Sequence, residues 1–369
     1  YQPNISEVNL LDNNFKLPQV LRSSLGIDVK TPNNWTFTLE GIYTKTLKDV
    51  LYKTINLKDS TAPLSGSGDS RPVYLGSRNQ QKIGVGFTNV FLLTNTNEGY
   101  KYALSASASK IITPGFNFRF SYTYGVSKDV ANGVRNSPQA NWEFNQTILP
   151  NDPKLSNSNF DIRNRFLALF TKEFTHKKSQ TAFTIIYNAQ SGSPFSFVYI
   201  GDVNRDGSPN NDLIYIPTSL ADANLIDIKD GGGNVTKTAA QQWDDLNNYI
   251  SSNKYLRTKK GMYAERNGAR TPWNQELDCK VSHAFLINKK QRVTFSLDIF
   301  NLSNLINRRW GRQYFVPNLL NGNYQLITLQ SITNGTKPNF IFNNPVSTPW
   351  QIDPITSRAQ GQLSARFSF

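Results

Sequence analysis

Between Phe116 and Val126 the chain alternates without a break. Phe116, Phe118, Phe120, Tyr122, Tyr124 and Val126 fall on one side, and Asn117, Arg119, Ser121, Thr123 and Gly125 on the other. A period of two with one greasy and one polar face predicts a β-strand. The pattern recurs at Trp35, Phe37, Leu39, Gly41 and Tyr43, where Ile42 breaks the polar side, and at Tyr100, Tyr102, Leu104, Ala106 and Ala108. It recurs again through Phe183–Ala189, Val293–Ile299 and Leu363–Phe369, with weaker strands through about 19–31, 161–174 and 275–287.

The connections sort into two classes. Thr31-Pro32-Asn33-Asn34, Thr113-Pro114-Gly115, His176-Lys177-Lys178-Ser179 and Asn288-Lys289-Lys290 are tight turns. The others are long, at roughly 58–99, 129–160, 201–274 and 303–356, and short alternates with long along the chain. A soluble sandwich rarely separates loop lengths so cleanly. Outer-membrane barrels do, with short periplasmic turns and long extracellular loops. Nine crossing strands are expected: 19–31, 35–57, 100–112, 116–128, 160–174, 180–200, 275–287, 291–302 and 358–369. Residues 1–18 read as loop. The fold class is therefore all-β, a portion of a transmembrane antiparallel β-barrel spanning residues 1–369. Single-chain barrels normally have an even strand count. An odd set beginning in a loop, with Tyr1 and no initiating Met, reads as the C-terminal part of something larger. The strands near 19–31 and 358–369 should each need a partner outside these residues. Trp35, Phe116, Phe285 and Phe367 should form one aromatic girdle toward the periplasm.

Composition agrees with this architecture. A mean hydropathy of -0.47 excludes transmembrane helices but not barrel strands, which hide apolar residues among polar ones. The net charge is +14, yet the basic residues are scattered and no RNA-binding signature is present, so nucleic acid is not an expected partner. Cys279 is the single cysteine, which excludes a disulfide scaffold. His176 and His283 are the only histidines, and Gly192-Ser193-Pro194 lacks the spacing of a nucleophile elbow. The chain does not read as an enzyme.

Several words along the chain then carry a resemblance. They are Phe15-Lys16-Leu17-Pro18-Gln19-Val20, Tyr122 through Asp129, Phe160-Asp161-Ile162-Arg163-Asn164-Arg165, Asn211-Asp212-Leu213-Ile214-Tyr215-Ile216-Pro217, Tyr263 through Trp273, and Asp298-Ile299-Phe300-Asn301-Leu302. In this order the chain resembles the C-terminal barrel half of TonB-dependent outer-membrane transporters, and more narrowly their Oar-like branch. The resemblance implies a barrel of about 22 strands around a plug. It implies an integral place in the bacterial outer membrane and energy-coupled uptake, with peptide-like substrates for this branch. The implied partners are the remaining strands and plug of the same transporter, an inner-membrane energy-transducing complex acting through the plug, membrane lipid and lipopolysaccharide. A structural or adhesive barrel and an autotransporter translocator are the alternatives.

One segment reads as a metal loop. Asp202-Val203-Asn204-Arg205-Asp206-Gly207 has the D-x-N-x-D-G spacing in which oxygens at positions 1, 3 and 5 converge on Ca2+ and the glycine permits the sharp bend. Ser208 would give its carbonyl. Position 12 is Leu213, not Glu, so Asp212 would have to close the shell of a structural calcium site; an Asx-rich surface turn is the other reading. The same extracellular loop, 201–274, should carry a short helix from Thr238 to Ser251, capped by Thr238. Glu40, Lys101, Arg119, Arg163, Arg165, Asp298 and Arg366 are expected to face the lumen. Arg266, Arg270, Arg308, Arg309 and Arg312, near the outer strand ends, could meet an anionic ligand, a peptide carboxylate or lipopolysaccharide phosphate.

Overall fold

A computed structural model of the chain describes residues 6–60, 62–113, 115–133, 135–288, 291–317, 322–343 and 348–369. Nine strands make a continuous antiparallel wall. They are β1 (Gln19–Lys30), β2 (Trp35–Thr54), β3 (Tyr100–Thr113), β4 (Phe116–Asp129), β5 (Asn164–Thr175), β6 (Ser179–Gln190), β7 (Asn274–Leu286), β8 (Arg292–Phe300) and β9 (Gln360–Ser368). Each pairs with the next in chain order.

The register carries one chemistry across all nine. Phe183 stands beside Val281, Val281 beside Leu297, and Leu297 beside Leu363. Farther along, Leu39, Ala106, Tyr122 and Phe166 form another row on the same face. These side chains are open to the surroundings: Leu39 is 61%, Leu104 58%, Phe295 52% and Leu363 82% exposed. An apolar band that wide is not tolerated in water, and its natural solvent is lipid. The opposite face is polar, as in the row Glu40, Ser105, Thr123 and Arg165. Trp35, Phe116, Phe285 and Phe367 all sit at the short-turn ends of their strands. Of the four short turns, Pro114, Lys289 and Lys290 lie outside the described residues. Among the described residues β1 pairs only with β2 and β9 only with β8, so the two ends of the wall are not joined to each other.

Several segments depart from the sequence reading, including Asn323–Thr333 and Lys337–Ile341, which are strands inside the expected loop 303–356. Residues 180–200 are not one strand: β6 stops at Gln190, and Pro194–Ile200 enters a separate four-stranded sheet with Ala269–Arg270, Asn323–Thr333 and Lys337–Ile341. Within the expected loop 58–99, Phe87–Thr96 is a strand that pairs with the outer part of β2, from Asp49 to Thr54. Ser6–Leu11, expected as loop, pairs in parallel with that strand.

The long connections are not loose. Leu64, Val73, Phe195, Phe197, Tyr199, Val203, Ile214, Ile216, Leu246, Ile250, Leu256, Phe340 and Phe342 are buried in one cluster, to which the nine wall strands contribute no buried member among the described residues. The hydrophobic core of this chain thus lies in its loops. The helix Ala239–Ser252 packs Leu246 and Ile250 into it, and a capping box between Thr238 and Gln241 closes its N-terminus. The four long connections are tied to each other at the rim opposite the short turns. The Ser65 amide donates to the Thr336 carbonyl at 2.9 Å, the Gly68 amide to Asp222 at 3.0 Å and the Thr147 amide to Asn211 at 2.8 Å.

Candidate functional site

The segment Asp202–Leu213 sits at the centre of this cap. Its backbone winds tightly: the Gly207 amide donates to Asp202 Oδ2 at 2.7 Å, the Asp206 amide to Asn204 Oδ1 at 2.9 Å and the Ser208 amide to Asp206 Oδ1 at 2.7 Å. Gly207 has φ +98°, a left-handed conformation that favours glycine, and the Arg78 guanidinium lies where a Cβ would stand. Asn204, Asp206, Ser208, Asn211 and Asp212 are all 0% exposed. The Asx turns of this loop therefore lie mostly inside the cap, with Pro209 exposed. Burial pushes the Asp202, Asp206 and Asp212 carboxyls up to about 7, and each of the three is raised further by another of the set.

The five residues singled out from sequence are brought together, but not in equivalent roles. Asp206 Oδ2 accepts from the Asn204 and Asn211 amides at 2.9 and 3.2 Å. Ser208 Oγ turns away to donate to the Glu143 carbonyl at 2.8 Å. Asp212, expected to close a metal shell, has both oxygens engaged elsewhere. Oδ2 accepts from the Val203 amide at 2.7 Å, and Oδ1 lies 2.8 Å from Arg71 Nη1. Among the described residues no group of three or more His, Cys, Asp or Glu side chains is arranged to hold a metal ion.

Arg71 was not visible to sequence reasoning. It is 0% exposed on its side chain and pairs with Asp69 and Asp212, both at 2.8 Å. It also donates to the Leu213 carbonyl. Its guanidinium stands over the Tyr199 and Tyr263 rings, 5.2 and 5.5 Å from their centroids, and both hydroxyls donate to Asp69. Burial disfavours its charge, but the two carboxylates more than offset this and hold it protonated. A single side chain thereby locks the first long connection onto the third.

Two arginines expected to await an anionic ligand are already committed. Arg266, 2% exposed, is bound to the carboxylate and carbonyl of Asp129 at the end of β4. Arg270 pairs with Asp161, which also takes Arg163 at 2.8 Å. Arg308 and Arg309 are exposed beside Trp310, which is 55% exposed. Arg309, Trp310 and Arg312 border a cavity of about 350 Å³ with Tyr187, Trp273 and Leu277. On the polar face of the wall, Arg22, Thr44, Lys101 and Ser127 stand in one cross-strand row. With Thr123 and Arg165 they line a groove of about 480 Å³. None of Arg22, Lys101 and Arg165 is in an ion pair among the described residues. Lys280 and Asp298, farther along the same face, pair at 2.8 Å.

His283 lies on the apolar face with Nδ1 2.8 Å from Thr181 Oγ1, and His176 lies in the short turn between β5 and β6.

A family model described as an outer membrane beta barrel domain matches residues 2–343. No curated protein sequence matches the chain. Among solved structures, it is similar to the ferric preacinetobactin receptor BauA of Acinetobacter baumannii, at 12% identity and a TM-score of 0.34, over 82% of this chain and 27% of that one. It is similar also to a mutant of the ferric enterobactin receptor PfeA of Pseudomonas aeruginosa, at 8% identity and a TM-score of 0.40, over 97% of this chain and 32% of that one. The chain thus spans less than a third of the length of both receptors.

Proposed function

The chain belongs to the outer membrane beta barrel domain family, and on that footing we propose that it is the C-terminal barrel portion of a TonB-dependent, Oar-like transporter that takes up a peptide-like substrate. It is integral to the outer membrane, with its long connections outside. The observation that carries the transport reading is the pairing of a folded cap with a charged inner wall. The cap has its own hydrophobic core and stands over the outer rim. Below it, Arg22, Lys101 and Arg165 face the lumen, where they meet acidic groups of a plug supplied by the rest of the transporter. The Oar-like assignment, and the peptide-like substrate with it, rests on the ordered words from Phe15-Lys16-Leu17-Pro18 to Asp298-Ile299-Phe300-Asn301-Leu302. Near the outer rim, Arg308 and Arg309 with exposed Trp310 suit the boundary between lipid and lipopolysaccharide phosphate.

The test is uptake of labelled oligopeptides by cells with and without the full-length gene. Uptake should disappear in the deletion strain and in wild-type cells treated with an uncoupler of the inner membrane. Peptide uptake indifferent to the deletion would overturn the substrate class. Uptake through the barrel that persists with the uncoupler would overturn energy coupling.

A further inference from the structure

We propose that the Asp202–Asp212 loop binds one calcium ion, through side-chain oxygens of Asp202, Asn204, Asp206 and Asn211 and the carbonyl of Ser208. The inference is independent of what the barrel transports.

The first argument is charge. Arg71 is taken by Asp69 and Asp212. Asp202 and Asp206 are in no ion pair among the described residues, although Asp206 is 0% exposed. The Arg78 guanidinium lies beside Gly207, donates to the Asp206 carbonyl and favours the charge of Asp202, but forms no ion pair with either carboxylate. Two carboxylates are therefore held largely out of water with hydrogen-bond donors but no ion-pair partner among the described residues, and burying charge that is not paired is costly. One divalent cation is the matching countercharge.

The second argument is independent of the acidic residues. Asn211 is 0% exposed, and its Oδ1 has no hydrogen-bond partner. Its side chain is aimed into the cluster, with Nδ2 3.2 Å from Asp206 Oδ2. Which end of an amide bears oxygen follows from its surroundings. Asp202 Oδ1, shielded from solvent, is likewise without a partner.

The donors are all oxygens, which selects a hard cation, and their mixed carboxylate, amide and carbonyl character suits the irregular shell of Ca2+ better than the octahedron of Mg2+. Only two carboxylates belong to the shell. Asp212 braces it from outside, through the Val203 amide and Arg71.

The site would govern the order of the cap, because this loop is where separate connections meet. The Tyr74 amide donates to the Asn204 carbonyl at 2.8 Å, Arg205 Nη2 to the Gly76 carbonyl at 2.7 Å and Ser208 Oγ to the Glu143 carbonyl at 2.8 Å.

Calorimetric titration with calcium chloride, on the full-length protein purified in detergent and stripped with EGTA, reads the site. Limited proteolysis of the cap reads its consequence. One calcium per chain is expected, with slower cleavage in calcium than in EGTA or magnesium alone. Asp206→Asn preserves size and removes one charge; binding should weaken by about tenfold or more, since affinity follows the charge count of the ligands. Asp202→Asn, at a less buried position, should do the same should the first variant disturb folding. Asp230→Asn, in an exposed turn whose Asp accepts from Gly232 and Asn234, should bind as wild type does. Absence of calcium heat in the wild type, or undiminished binding in both site variants, overturns the proposal.

Discussion

Replacing Arg71 by methionine keeps much of the apolar stem and removes the charge that joins two connections of the cap. The substitution leaves Asp69, 1% exposed, and Asp212, 0% exposed, without their shared cation. Breaking a buried pair by removing one partner typically costs 3–5 kcal/mol. Here the lower end applies, about 3 kcal/mol, because both carboxylates keep other donors. Asp69 retains the Tyr199 and Tyr263 hydroxyls, and Asp212 the Val203 amide. At about 1.4 kcal/mol per factor of ten, the population of open cap should rise by roughly a hundredfold. Among the described residues no hydrogen bond or ion pair joins Arg71 to the nine wall strands, so the wall should remain folded. Hydrogen exchange with mass spectrometry separates the two outcomes. Amides of Tyr74, Tyr199 and Ile214, which are hydrogen-bonded within the cap, should lose protection, while those of β3 and β4 keep it. Lys154→Met, which breaks an exposed pair with Asp152, is the control and should change little. Equal exchange in Arg71→Met and Lys154→Met would refute the claim that a buried ion cluster locks the cap.

Three other outcomes follow from the same structure. Leu297→Arg, on the lipid-facing row with Val281 and Leu363, should impair folding into vesicles by about 2–4 kcal/mol, whereas Ser296→Arg on the lumen face should be tolerated, as read by the heat-dependent shift of the folded barrel on gels. Thr238→Ala removes the helix cap and should destabilise the helix by about 1 kcal/mol, seen as faster exchange of the Gln241 and Gln242 amides. Charge reversal at Arg22 and Lys101 together should weaken retention of the plug in the full-length protein, measured by protease access to the plug; unchanged access would remove these side chains from the wall–plug contact.

The wall was legible from sequence because a strand with lipid on one side and water on the other must alternate. Phe116–Val126 shows that alternation as plainly as any segment. The cap was not legible by the same rule. Pro194–Ile200 is almost wholly buried, so its apolar run looked like a continuation of β6, although Gly192-Ser193-Pro194 marks a break. Phe87–Thr96 falls in a stretch that reads as loop because its apolar residues show no clean alternation. The helix Ala239–Ser252 was found because its cap and its period are local. Arg71 could not be found: Asp212 lies 141 positions away, and no periodicity links them. Arg266 and Arg270 were placed near the outer rim, but their carboxylate partners, Asp129 and Asp161, sit on other segments. Counting charges along the chain therefore left them free when they are not.

If these nine strands are one part of a larger barrel, the outer edges of β1 and β9, which pair with no other strand among the described residues, must find neighbours elsewhere. Electron cryo-microscopy of the full-length protein in lipid nanodiscs would reveal the neighbours of both strands. Each of these edges should pair with a strand from outside residues 1–369, since unpaired backbone groups in lipid cost several kcal/mol each. Direct hydrogen bonding between β1 and β9, closing nine strands into a ring, would contradict it.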